Sequence, residues 1–77
     1  MKIQQKPRFK RVYKKLPTRQ RREVDDQIRA VLADPEIGEP KKADLAGVRV
    51  HKFKLMGQLT LLAYEWEDDT ITLLALG

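Results

Sequence analysis

Residues 48–77 read VRVHKFKLMGQLTLLAYEWEDDTITLLALG. Three runs rich in β-branched, aromatic and aliphatic residues, Val48 to Met56, Leu59 to Trp66 and Thr70 to Leu76, are separated only by Met56-Gly57-Gln58 and Glu67-Asp68-Asp69. Such runs read as strands, and connections this short join antiparallel neighbours, so the three form a meander. Successive side chains on a strand point to opposite faces. In the first strand Phe53 and Leu55, with His51 and Arg49 in phase, share one face, and Val48, Val50, Lys52, Lys54 and Met56 share the other. The apolar pair of the first face calls for cover. The other face becomes a partly apolar floor bearing two lysines.

Upstream the period changes from two to 3.6. Phe9, Val12, Tyr13 and Leu16 fall at i, i+3, i+4 and i+7 and make one apolar stripe. Pro7 suits the first turn of that helix, and Pro17 ends it, because the residue before a proline avoids helical geometry. Thr18 is read as the N-cap of a second helix, whose apolar face is Val24, Ile28, Val31 and Leu32 and whose end is Asp34-Pro35. With only Pro17-Thr18 between them, the two helices form a hairpin. Residues 35–47, PEIGEPKKADLAG, read as a loop with a short turn at Lys41 to Leu45, anchored by Leu45 and Val48. Ile3 to Gln5 gives a weak signal for a short edge strand. The expected order is therefore (β)-α-α-β-β-β, an α+β fold in which an N-terminal helical hairpin packs on a small antiparallel sheet. It forms a single domain over 1–77.

The last strand ends LLAL, and a strand apolar on both faces expects cover on both. If Leu73, Leu74 and Leu76 alternate strictly, one leucine surface needs another chain to cover it, either a second copy of this one or a partner peptide.

Composition narrows the function. Cysteine and serine are absent and there is one histidine, which excludes thiol and serine nucleophiles, disulfides and a thiolate or multi-histidine zinc site. No metal and no cofactor is expected. No run approaches the roughly 18 apolar residues of a membrane span, and the basic N-terminus leads into an amphipathic pattern, not a secretory core. A reducing cytoplasm is the expected location. The net charge of +5 hides an asymmetry: residues 1–22 carry ten Lys and Arg and no acid, and the remainder carries −5. Such a concentration points to a polyanion partner. Lys10, Lys14, Arg19, Arg21 and Arg22 are the candidate contacts, the three arginines standing in the first turn of the second helix, where its dipole disfavours cations.

Lys52 and Lys54 are the candidate chemical pair. Their bland reading is a charged, solvated strand face that discourages aggregation. Their functional reading is a phosphate-binding or catalytic pair, because close like charges disfavour one another and fit one member for general-base work while its neighbour stays cationic. RNA supplies its own nucleophile in the 2′-hydroxyl, so cleavage needs neither a metal nor a catalytic histidine. His51 points to the helix side and reads as a packed or rim histidine, with an acid/base role as the alternative; Tyr13, Tyr64 and Trp66 read as packing residues. Glu65, Glu67, Asp68 and Asp69 cluster at a hairpin tip and read as a turn, with a cation site as the alternative.

The ordered set formed by FKRVYKKL, ADPEIGEPKKADLAG, the K-F-K strand and the LLAY…ITLLALG pair resembles the RelE/ParE superfamily of bacterial type II toxin–antitoxin toxins. The likeness covers essentially the whole chain. It implies a helical hairpin on a small antiparallel sheet and a cognate antitoxin that wraps the toxin. RelE-like members are mRNA endonucleases that act on the ribosome, and ParE-like members inhibit DNA gyrase. In the RelE type two strand lysines, matched by Lys52 and Lys54, lie in the groove that receives the RNA backbone. Val50 and Met56, on the same floor, are candidate antitoxin or groove contacts. RelE-type enzymes also place an arginine on the next strand, where this sequence reads QLTLLAY, and continue beyond LLALG with a polar, aromatic-containing segment. The resemblance thus implies a metal-independent, ribosome-dependent mRNA endonuclease. The departures leave open a ParE-like gyrase inhibitor or an inactive, shortened toxin.

Overall fold

A computed structural model of the chain describes residues 1–41 and 47–77. Within these, the elements run β1 (Lys2–Gln5), α1 (Pro7–Lys15), α2 (Thr18–Ala33), β2 (Glu39–Pro40), β3 (Val48–Leu55), β4 (Gln58–Glu67) and β5 (Thr70–Leu76). The strands make one sheet in the order β1-β5-β4-β3-β2. The expected meander is β3-β4-β5, antiparallel throughout. Two edges were not foreseen in this form. β1 pairs parallel to β5, Ile3 opposite Ile71, which makes the sheet mixed. Two residues of the expected loop form β2, Glu39 opposite Val50 and Pro40 opposite Arg49. The turn expected up to Leu45, and the Leu45 anchor, lie outside the described residues.

The helices behave as their prolines dictate. Pro7 opens α1, and Leu16, in an extended conformation before Pro17, closes it. α2 begins at Thr18, so its N-cap is Pro17, and no side chain caps it. The Thr18 hydroxyl instead accepts a hydrogen bond from Arg21 Nη2 at 3.0 Å. Tyr13 Oη donates to Asp25 Oδ1 at 2.7 Å and ties the two helices together.

α1 lies over β5 and α2 over β3. One apolar cluster joins Phe9, Val24 and Val31 of the helices to Phe53, Leu55, Leu62, Tyr64, Ile71, Leu73 and Leu76 of the sheet. At roughly 1.5–3 kcal/mol for each large apolar side chain removed from water, this layer outweighs the weak α2 cap. The expected alternation of the β5 leucines fails at one point. Ala63 pairs with Ala75 but Tyr64 pairs with Leu73, which leaves Leu74 without an opposite residue. This β-bulge turns both Leu73 and Leu76 into the core. Leu74 is half-buried.

The hairpin turns are tight. Met56 and Gly57 both have positive φ, 51° and 81°, the pattern of the two-residue turn that matches strand twist. Asp68, at φ 55°, takes the corresponding strain in the β4–β5 turn.

Candidate functional site

The face of the sheet away from the helices is open. On β3 it carries Val48, Val50, Lys52 and Lys54, as the alternation requires, and the register sets Glu65, Ala63, Leu61 and Leu59 of β4 opposite them in that order. Lys52 and Lys54 are both exposed. Each cation thus has a leucine directly across the ladder, and Leu59 and Leu61 are 65% and 38% exposed. Beside Lys52 the floor of Val50, Leu61, Ala63 and Ala75 sinks into an open cavity of about 400 Å³, with Arg8 and Lys41 as cations in its wall. Val50 is buried as part of this floor. Met56 does not line the cavity; it stands 56% exposed in the β3–β4 turn.

The remaining predicted residues are elsewhere. Lys10 and Lys14 on α1 and Arg19 and Arg22 on α2 are exposed, and Arg21 is half-buried. Their helices cover the opposite face of the sheet from Lys52 and Lys54. The molecule therefore presents two cationic surfaces back to back, with Arg8, at the start of α1, reaching the rim of the open one. Strand alternation placed the lysines on the face away from the helices, and the helix cations stand on the other side, as the helical hairpin requires. Periodicity missed Arg8, Lys41 and Glu39 as members of the lysine face. Glu39 Oε2 lies 3.6 Å from Lys52 Nζ, a contact made only because β2 pairs with β3, which no local pattern announces.

His51 is on the helix side, as its parity requires. Its Nε2 faces Gln27 Oε1 at 2.7 Å and its ring stacks on Phe53, centroids 5.7 Å apart. Burial lowers its pKa from the ordinary 6.5. It has no part in the lysine face. Arg49 shares the His51 face and packs against Trp66. Tyr64 is fully buried, and burial raises its hydroxyl above the ordinary 10.0, so it remains a hydrogen-bond donor. Tyr13 is likewise raised, chiefly by its bond to Asp25. The acidic hairpin tip forms the β4–β5 turn. Among the described residues no cluster of acidic, histidine or cysteine side chains could hold a metal ion, and no helix is long and apolar enough to cross a membrane.

The arrangement can bind and polarise an anion: two exposed ammonium groups two residues apart, a partly apolar floor and two further cations at the cavity. A family model described as the ParE-like toxin of type II bacterial toxin–antitoxin systems matches residues 3–77. No curated protein matches the chain in sequence. Among solved structures, a chain of the intact Escherichia coli RelBE toxin–antitoxin complex matches with TM-score 0.78 at 20% identity, over 99% of this chain and 93% of that one. The isolated E. coli RelE toxin matches with TM-score 0.76 at 20% identity, over 99% and 81%. A conserved hypothetical protein of Helicobacter pylori matches with TM-score 0.55 at 23% identity, over 100% and 92%. At such identities these likenesses speak to the fold, two helices on a mixed five-stranded sheet.

Proposed function

This chain belongs to the ParE-like toxin family of type II bacterial toxin–antitoxin systems, and from that premise we propose that it is an RNA-directed toxin, a metal-independent endoribonuclease that cuts mRNA on the ribosome and is neutralised by a cognate antitoxin. The observation that carries this reading is the pair Lys52 and Lys54, exposed together on the open face of the sheet and adjoining the cationic cavity. An RNA backbone laid along this face places a phosphate against the two amines. The 2′-hydroxyl attacks the adjacent phosphorus and gives its proton to one lysine amine acting as base. The neighbouring ammonium stabilises the phosphorane oxygens. The P–O5′ bond breaks, the leaving oxygen takes a proton from the lysine ammonium just formed, directly or through water, and the products are a 2′,3′-cyclic phosphate and a 5′-hydroxyl end. Lys10, Lys14, Arg19, Arg21 and Arg22, on the far side, are left to hold structured RNA through its phosphates, which carry no base information.

The antitoxin is expected to lay an acidic, partly apolar segment over Val50, Met56 and the lysines, and so block RNA by occupying the same contacts. The test is replacement of both lysines by Met, which keeps much of their bulk. RNA cleavage should fall by well over ~10-fold, the loss of one ordinary contact, with the melting temperature unchanged. Full-rate cleavage by the folded double variant ends the assignment.

One observation favours a second reading. Leu59 and Leu61 occupy the β4 positions opposite the lysines, where a nuclease gains from a further cation. An apolar ladder beside lysines also suits binding without chemistry, and inhibition of DNA gyrase is that alternative. Induction in cells separates the two: translation arrest with mRNA fragments supports the nuclease, and blocked replication with a DNA-damage response supports the gyrase inhibitor.

A further inference from the structure

The segment leading into β2 is held from beneath by two side chains of the sheet. Tyr64 donates its hydroxyl to the Pro35 carbonyl at 2.6 Å and accepts the Gly38 N–H at 3.0 Å. Arg49 Nη1 donates to the carbonyls of Gly38 at 2.8 Å and Glu36 at 3.1 Å, and its guanidinium carbon lies 5.7 Å from the centre of the Trp66 ring. Gly38 leaves no space for a larger residue: a Cβ there would lie 2.7 Å from Tyr64 Oη and 3.1 Å from Arg49 Cβ. The backbone before Glu39 is thus fixed from the core outward. β2 itself is fixed by its ladder, Glu39 against Val50 and Pro40 against Arg49.

Surface connections are ordinarily free of such demands. Committing a buried tyrosine hydroxyl and an arginine to one short segment gives it a defined position, and the side chain it delivers to the open face is Glu39. That carboxylate stands 3.6 Å from Lys52 Nζ, with the two side chains 74% and 52% exposed. The other ion pair among the described residues, Arg29 with Asp26, closes within one turn of α2. Glu39 therefore couples the core-anchored segment to the lysine face.

We propose that Glu39 is a positioning and specificity-determining residue of the Lys52/Lys54 site: an internal counterion that directs the Lys52 side chain in the free protein and is exchanged for a backbone phosphate when a nucleic-acid strand enters. This inference rests on the RNA-directed reading above. A carboxylate against one of the two lysines takes away much of what a lone phosphate would gain there. A strand recovers the loss, because it meets Lys54 and the cavity cations Arg8 and Lys41 as well. The counterion thus biases the face toward a polymer and against free phosphate.

The test is binding of a short single-stranded RNA blocked by 2′-O-methyl groups, with inorganic phosphate as the competing probe, measured for the wild type, Glu39→Gln, Glu39→Asp, Lys52→Met and the combined Glu39→Gln/Lys52→Met chain. Glu39→Gln should bind the RNA about two- to fivefold more tightly at low salt, the scale of an exposed ion pair. It should gain relatively more for inorganic phosphate, and lose both gains in the Lys52→Met background. Glu39→Asp should stay near the wild type. A wild type that binds and a Lys52→Met chain that binds more weakly, together with a Glu39→Gln chain identical to the wild type, overturns the counterion role and leaves the RNA-directed reading standing. So does a gain that persists without Lys52, since it would then be unspecific repulsion. A wild type that does not bind the RNA overturns the RNA-directed reading and this inference with it.

Discussion

Tyr64 shows how one side chain serves both core and surface. Its ring is fully buried, yet its hydroxyl holds Pro35 and Gly38, which lie outside the sheet. Tyr64→Phe keeps the ring and leaves the Gly38 N–H without its partner and the Pro35 carbonyl with one donor fewer. An unpaired buried polar group costs about 1–3 kcal/mol, so the variant should unfold at correspondingly lower denaturant. Hydrogen exchange at the Gly38 amide should accelerate more than exchange in β4. Equal acceleration in both places would mean that the hydroxyl contributes to the core as a whole and not to this segment.

At the scale of elements, the α2–β3 contact carries a pH dependence. His51 sits between the two, its Nε2 on Gln27 and its pKa lowered from 6.5 by burial. The unfolded ring titrates near 6.5 and the folded ring below it, so the unfolded chain binds protons more readily in this window. Stability from this contact is therefore complete above pH 6.5 and is lost as pH falls through the lower, folded value. Thermal melts at pH 7.5 and 5.5 should show this loss, and His51→Gln should reduce it. An unchanged difference between the two melts would place the pH sensitivity in the carboxylates.

On the RNA-directed reading, the helical hairpin should carry the salt dependence. Neutralising Lys10, Lys14 and Arg22 should flatten the fall of RNA affinity with rising salt, each lost phosphate contact lowering the slope by about 0.7–0.9. These residues lie across the sheet from Lys52 and Lys54, so the cleavage chemistry should keep its rate at saturating substrate. An unaltered slope would mark the helix charges as solubilising.

Elements also show what a linear reading can and cannot reach. The helices and the meander were legible because each advertises itself by period and by Pro or Gly at its ends, as Phe9 to Leu16 and Met56-Gly57 do. The orientation of Lys52, Lys54, His51 and Arg49 followed from strand alternation alone. β2 was illegible because two residues, one of them proline, have no period. The bulge at Leu74 was illegible because only the partner strand reveals it, and strict alternation put Leu73 and Leu76 on opposite faces when both enter the core. Thr18 has the composition of a cap, but Pro17 holds the capping position and the threonine answers to Arg21 instead. Glu39 beside Lys52 needed the fold itself.

On the scale of the whole molecule, the parallel pairing of β1 with β5, together with the seat of α1 on β5, has a consequence in time. β1 and α1 find their partner in β5, about 60 residues further along the chain. Contacts so distant in sequence form late, and domains assemble as units during synthesis. A nascent chain that has not yet exposed β5 should be unable to bury Phe9 or to dock its N-terminal strand. Ribosome-bound chains arrested before Thr70 should therefore be digested rapidly by protease in their first 16 residues, whereas chains held on a linker long enough to free Leu76 should resist. Resistance in the shorter chains would show that the hairpin settles without its strand. With the expected order, α1 has no seat until β5 is free, so the hairpin is the part of this fold that waits longest for its partner.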